Sequence, residues 1–259
     1  MCRPDFYGIE YEINPWMSRS RPANQQRARQ QWRRLHELLR LELSAEIELI
    51  EPQPELPDMV FTANAGIAWS GKFIVSNFRH EVRQREAAHY EDWFNAHGYE
   101  IVRLPQRCHF EGEGDLLRCG DTWFAGYHIR SDIGAHQKIA EIIDEEILSL
   151  ELTNSWFYHL DTCFCPLTAG RALFYPGAFD PYARQVLESH VPELIAVSER
   201  EAARFACNAI VGENRIVMND GCPELRRMLE YSGYAVFETP LDEFLKAGGS
   251  AKCLALIIA

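Results

Sequence analysis

Short apolar runs, separated by turn residues, recur along this chain. Ala65-Gly66-Ile67-Ala68-Trp69 and Lys72-Phe73-Ile74-Val75 flank Ser70-Gly71, a small pair that lets two short strands reverse direction. A polar stretch from Glu81 to His97 reads as a helix. Gly98 stops it, and Tyr99-Glu100-Ile101-Val102-Arg103-Leu104 reads as a third strand. The predicted unit is strand, turn, strand, helix, strand.

The same order returns. Asp115 to Arg118 and Thr122 to Gly126 form a second hairpin around Cys119-Gly120-Asp121, followed by a helix from Ile133 to Leu148. A third hairpin is predicted from Thr162 to Phe174, turning at Thr168-Ala169-Gly170, with a helix from Pro181 to Ser189. A fourth runs from Asn208 to Met218, turning at Gly212-Glu213-Asn214. Its helix is Pro223 to Ser232, and Tyr234-Ala235-Val236-Phe237 echoes the strand at Tyr99. A half-unit from Lys252 to Ile258 closes the chain. A strand at Tyr11 to Ile13 and a long helix from Gln25 to Leu43 would complete a fifth unit.

The hairpins begin near Asn64, Asp115, Asp161, Asn208 and Cys253, at gaps of 51, 46, 47 and 45 residues. A period of that size marks repeated supersecondary units. A solenoid is the usual arrangement, and a layered α/β protein with coincident spacing is the plainer alternative. Neither has a reason to set polar residues at equivalent strand ends. Five units closed around an axis would bring all those ends together and make an active site at the hub.

Composition narrows the partners. The chain has 259 residues, 47% of them hydrophobic, which is read as one domain covering residues 1–259. A net charge of −12 argues against nucleic acid or an acidic membrane surface and suits a small cationic substrate. No apolar run approaches the roughly 18 residues a membrane helix needs. No apolar segment of signal-peptide type follows Met1-Cys2-Arg3-Pro4-Asp5. The eight cysteines are irregularly spaced, so free thiols in a reducing, cytoplasmic setting are expected. Association into a homo-oligomer stays open.

Several residues carry candidate chemistry. Cys253 follows Gly248-Gly249 in Gly-Gly-Ser-Ala-Lys-Cys-Leu, where glycines let the backbone approach a ligand. A nucleophilic thiol needs a base and positive charge nearby. His159 and Asp161 would share one face of a strand, an acid/base histidine beside a carboxylate. Phe110-Glu111-Gly112-Glu113-Gly114-Asp115 offers carboxylates with little steric cover, suited to a planar cation. That run lacks the spacing of an EF-hand. Asp58 and Asn64 would share a face of a regular strand around Phe61, and Arg83 and Arg130 are planar forks for a carboxylate. Cys163 and Cys165 near His159 are a poor zinc set. No phosphate-binding glycine loop is present. No metal and no cofactor is expected.

Taken in order, Tyr11 to Met17, Asp58 to Gly66, Glu111 to Asp115, Tyr127 to Arg130, His159 to Phe164 and Gly248 to Leu254 resemble the guanidine-modifying enzymes of the pentein superfamily. That resemblance covers nearly the whole chain and implies an α/β fold, a five-bladed propeller of ββαβ repeats with pseudo-five-fold symmetry. It implies that Cys253 is the nucleophile, His159 the general acid/base and Glu111 the acid that holds the guanidinium, with Glu113 and Asp115 as competing choices. It sets Asp161 as the second carboxylate, Arg83 and Arg130 on the substrate carboxylate, and Asp58 on its head group. Phe61-Thr62-Ala63-Asn64 resembles the arginine dihydrolases, where deiminases and dimethylarginine hydrolases have an Asp at the position of Asn64. A neutral amide there can donate as well as accept hydrogen bonds. The expected activity is therefore hydrolysis at the guanidinium carbon of arginine or a related guanidino compound, giving ornithine, ammonia and carbon dioxide. Arginine deiminase, dimethylarginine dimethylaminohydrolase and amidinotransferase are the rival enzymes, and a non-catalytic guanidine-binding protein is the rival of another class.

Overall fold

In the computed structural model, which describes residues 1–168 and 170–258, the repeat takes the form of four three-stranded sheets. The first holds β1 (Gly66–Trp69), β2 (Lys72–Val75) and β3 (Glu100–Arg103). The second holds β4 (Leu116–Cys119), β5 (Thr122–Tyr127) and β6 (Ile147–Glu151). The third holds β7 (Phe164–Thr168), β8 (Arg171–Phe174) and β9 (Glu193–Ala196), and the fourth β10 (Ile210–Gly212), β11 (Arg215–Asn219) and β12 (Ala235–Thr239). In each, the first two strands form an antiparallel hairpin and the third returns parallel to the second. A parallel return needs a crossover, which helices supply.

Helix α1 (Gln25–Glu42) begins at Asn24, whose side chain accepts from the Arg27 N–H, and it buries Ala28, Trp32, Leu35, Leu38 and Leu39. The short α2 (Glu81–Gln84) and α3 (Glu86–Ala96) serve the first sheet, and α4 (Ile133–Ile143) the second. Then come α5 (Pro181–His190), the single turn α6 (Glu199–Ala202), α7 (Pro223–Tyr231) and α8 (Asp242–Leu245). The α/β class read from the periodicity is thus the observed class. No helix among the described residues is long and apolar enough to cross a membrane.

The differences from expectation are instructive. The helix predicted over 81–97 is broken at Arg85. The one predicted over 133–148 stops at Ile143, because Asp144 adopts left-handed backbone with φ 56°; the apolar residues beyond it become β6. Strand β9 carried too weak a pattern to be read. The turn expected at Thr168-Ala169-Gly170 falls partly on Ala169, outside the described residues. Tyr11 to Ile13 is not a strand. In that part of the chain the β pairing is instead a single bridge: Cys2 bridges Ile50 in parallel, and the Ile50 N–H donates to the Met1 carbonyl at 3.0 Å.

Five turns close a ring. Thr62–Ala65, Gly112–Gly114, Leu160–Thr162 and Lys252–Leu254 are single 3-10 turns, and the Asn208 N–H donates to the Phe205 carbonyl at 2.9 Å in the remaining one. Gly112 packs so closely on the first turn that a Cβ there would strike the Ala63 carbonyl, at a φ of 64° that side chains resist. Asp115 accepts from the Leu160 N–H at 3.0 Å, joining the second turn to the third. Asn208 donates to the Asp161 carbonyl at 3.0 Å and its own carbonyl accepts from the Lys252 N–H at 3.3 Å. The Leu256 N–H donates to the Thr62 hydroxyl at 3.2 Å and closes the circuit.

Candidate active site

The hub is built from those turns, not from strands. Asp58 lies in the 3-10 turn Pro57–Val60, Asn64 in Thr62–Ala65, and His159 caps Leu160–Thr162. Strand alternation therefore does not explain how Asp58 and Asn64, or His159 and Asp161, are presented. A tight turn projects successive side chains around its axis, and five such turns converge.

Glu111 is fully buried and accepts from His159 Nε2 at 2.7 Å and from Arg130 Nη1 at 2.9 Å. Burial works against its charge, but Arg130 and then His159 outweigh that and hold the carboxyl well below the usual carboxylate range. The two competing acids are engaged elsewhere. Glu113 takes the Lys252 ammonium at 2.7 Å, and Asp115 accepts from the Ser131 hydroxyl at 2.6 Å and the Leu160 N–H at 3.0 Å.

Cys253 is 3% exposed, and its Sγ lies 3.4 Å from Asp161 Oδ2 and 3.1 Å from Asn208 Nδ2. Burial, reinforced by Asp161, pushes its thiol well above the ordinary range. Burial likewise lifts Asp161 to about 7, with Lys252 opposing. The two shifts disfavour a thiolate and a carboxylate in this site, and a cation beside the sulfur would oppose them. His159 and Asp161 share one turn, so the contact between Asp161 and the Cys253 sulfur brings that sulfur and the imidazole to the same hub.

Asn64 is fixed by Arg83. Arg83 Nη1 donates to Asn64 Oδ1 at 2.8 Å, which turns the amide nitrogen toward His159 Nδ1, 3.4 Å away. Arg83 also holds Glu86 through Nε at 2.9 Å and Nη2 at 2.8 Å, and the Asp58 carbonyl at 3.2 Å. Four of its N–H groups are therefore engaged, and one of the five in a guanidinium is left for a carboxylate. Arg130 has donated one bond to Glu111 and one to the Ile13 carbonyl at 3.1 Å, and its guanidinium carbon lies 4.5 Å from the centre of the Tyr158 ring. The Asp58 side chain is buried, and burial raises its pKa against the pull of Arg83. Phe61 packs edge-on to Tyr7 at 5.9 Å, and a Cβ at Gly249 would overlap its ring.

The loop over 13–17 straps this cluster. Asn14 Nδ2 donates to the Ala247 carbonyl at 3.0 Å, and Trp16 packs on Trp156 and Phe205, each at 4.9 Å between ring centres. Tyr158 donates to the Gly248 carbonyl at 2.6 Å. Sequence reading missed Asn208 and Lys252. The fourth repeat begins at Asn208, so its position in the period was the available signal. No cluster of three or more metal-ligating side chains occurs among the described residues.

Gly114 sets the spacing at the centre. A Cβ there would overlap the Asn64 amide nitrogen and lie 3.3 Å from the His159 ring. Because Arg83 holds Asn64, the displacement falls on His159. Gly114→Ala is expected to lower kcat/KM about 100-fold, while costing only about 1–3 kcal/mol of stability. Kinetics and thermal melting on the same preparation check this; retained activity would show that the hub tolerates the methyl group.

The family model for eukaryotic N,N dimethylarginine dimethylhydrolases matches residues 10–258. The bifunctional arginine dihydrolase/ornithine cyclodeaminase AgrE of Nostoc sp. is 45% identical over 99% of this chain and 37% of its own length. The N(G),N(G)-dimethylarginine dimethylaminohydrolase of Mycobacterium tuberculosis is 37% identical over 100% of this chain and 84% of that protein. The N-terminal domain of ArgZ, described as an arginine dihydrolase and related to a Synechocystis sp. protein of that name, has been solved with product bound. It matches with TM-score 0.96 and 44% identity over 100% of this chain and 96% of that one. A variant of the same domain carries a covalently bound reaction intermediate. The chain spans 37% of the length of the bifunctional relatives.

Proposed function

Because the chain belongs to the dimethylarginine dimethylhydrolase family of the pentein superfamily, we propose that residues 1–259 form an arginine dihydrolase domain acting through a covalent thiouronium on Cys253. The observation that carries the reading is Asn64. Arg83 pins its oxygen, so a neutral N–H group faces His159 while Glu111 takes the other ring nitrogen.

The guanidinium enters between Glu111 and Asp161, with Asp58 and Phe61 around its head group and the remaining N–H groups of Arg83 and Arg130 toward its carboxylate. Its charge stabilises both the thiolate and ionised Asp161, so the substrate switches the nucleophile on. As the Cys253 sulfur bonds to the guanidinium carbon, its proton passes to His159, which becomes the imidazolium. That carbon loses one nitrogen as ammonia, with the proton supplied by His159. His159 then removes a proton from water, which displaces the sulfur and leaves citrulline. A second round on the ureido carbon consumes another water and releases ammonia, carbon dioxide and ornithine. Arginine plus two waters balance ornithine, carbon dioxide and two ammonia.

An Asp at position 64 would keep the Arg83 contact but turn an oxygen toward His159. A carboxylate there pairs with the cationic guanidinium of the first round but offers the neutral ureido group of the second only an acceptor, where the amide N–H could donate to its oxygen. Asn64→Asp should therefore leave citrulline as the accumulating product and lower ornithine formation at least about 100-fold. Product analysis after incubation with arginine tests both points. Citrulline as the stable product of the unaltered protein would leave a deiminase. Dimethylamine released from dimethylarginine would favour a dimethylaminohydrolase, and dependence on an acceptor amine an amidinotransferase. The eight cysteines are unpaired, which supports a reducing compartment such as the cytoplasm.

A further inference from the structure

We propose that Asn208 is a catalytic residue: its side-chain amide grips Cys253 at two points and donates a hydrogen bond to the attacking sulfur. Asn208 is completely buried. Its Nδ2 lies 3.1 Å from Cys253 Sγ and 3.0 Å from the Asp161 carbonyl, and its Oδ1 accepts from the Cys253 N–H at 3.2 Å.

The orientation of the amide is forced. Reversed, it would set its oxygen against the Asp161 carbonyl and its N–H groups against the Cys253 N–H. As it stands, both N–H groups and the oxygen are used. Asn208 thus fixes the backbone that carries the nucleophile and supplies a donor to its side chain.

The charge around the sulfur explains why a neutral donor matters. Asp161 Oδ2 at 3.4 Å opposes a thiolate. The Lys252 ammonium, on the residue before Cys253, is held by Glu113 at 2.7 Å. In a buried site an amide N–H strengthens as the sulfur gains charge. It therefore favours the thiolate over the thiol, and in turn favours departure of the sulfur as thiolate when the thiouronium is hydrolysed.

This proposal rests on Cys253 being the nucleophile, which labelling of the unaltered protein tests separately. Alkylation by iodoacetamide would be followed across pH 6 to about 10 by peptide mass spectrometry. Asn208→Asp, which keeps the shape but loses the N–H and adds charge, and Asn208→Ala would be compared with it. Removal of the donor is expected to slow alkylation of Cys253 about 10- to 100-fold at a given pH. It should also cut kcat for arginine about 10- to 100-fold with KM changed less than about threefold, the larger loss falling on Asn208→Asp. If both variants melt earlier but keep the alkylation profile and kcat, Asn208 is only a brace of the ring and the proposal fails. If Cys253 of the unaltered protein is not the residue labelled, the nucleophile reading fails and takes this one with it.

Discussion

Replacement of Cys253 by alanine is expected to abolish turnover of arginine, by at least about 10⁴-fold in kcat, while leaving the substrate able to bind. In the proposed reaction the sulfur makes the bond that splits a difficult hydrolysis into two easier steps, a role that alanine cannot take. The carboxylates proposed to hold the guanidinium and the arginines proposed to hold the substrate carboxylate stay in place, because the Cys253 backbone N–H still meets Asn208 Oδ1. Calorimetry should therefore still detect arginine binding. Acid-quenched mixtures of the unaltered protein should carry a mass adduct on the peptide containing Cys253, and the variant none. An adduct on another cysteine would relocate the nucleophile; undiminished ornithine formation would remove covalent catalysis altogether.

The second large effect is expected at Glu111. Glu111→Gln keeps the shape but removes the counter-charge of Arg130, 2% exposed, and the partner of His159 Nε2. Breaking a buried pair from one side costs about 3–5 kcal/mol, because the remaining charge stays desolvated. For a domain of this size that corresponds to roughly 10 °C in melting temperature. Activity should fall at least about 10³-fold, since both the imidazole and the guanidinium lose their anion. The pH dependence gives an independent check. Glu111 is depressed in the folded state, so its stabilising effect is complete above the unfolded carboxylate range. It is lost only as pH falls through the folded value. The stability gap between the two proteins should then be constant near neutrality and shrink below about pH 4. A gap that persisted unchanged into acid would mean that the ionised carboxylate is not what stabilises the hub.

Much of this molecule was legible before its structure was considered. The hairpins of the first, second and fourth repeats start within two residues of where turn chemistry and apolar alternation set them, as β1, β4 and β10 show. Gly98 and Gly233, with φ of 85° and 89°, end helical segments as expected. What failed was local in another way. Strands β6 and β9 have mixed polarity because only part of each is buried, so alternation gave no signal. The hub motifs looked like strand edges, yet they fold as 3-10 turns whose side chains meet partners on other repeats.

The sequence by itself determined the repeat, the α/β class and the kinds of groups at the repeat ends, because those depend on residues within a few positions of one another. Only the tertiary structure decided which groups act on which. It set Glu111 on His159 and Arg130, sent Glu113 to Lys252 and Asp115 to Ser131, and turned Arg83 into the support of Asn64. It also brought Asn208 to the sulfur of Cys253, 45 residues further along the chain. Such pairings are fixed by the closure of five turns into a ring. Each acid in a run such as Glu-Gly-Glu-Gly-Asp has the same local chemistry, and only the ring gives each a different neighbour.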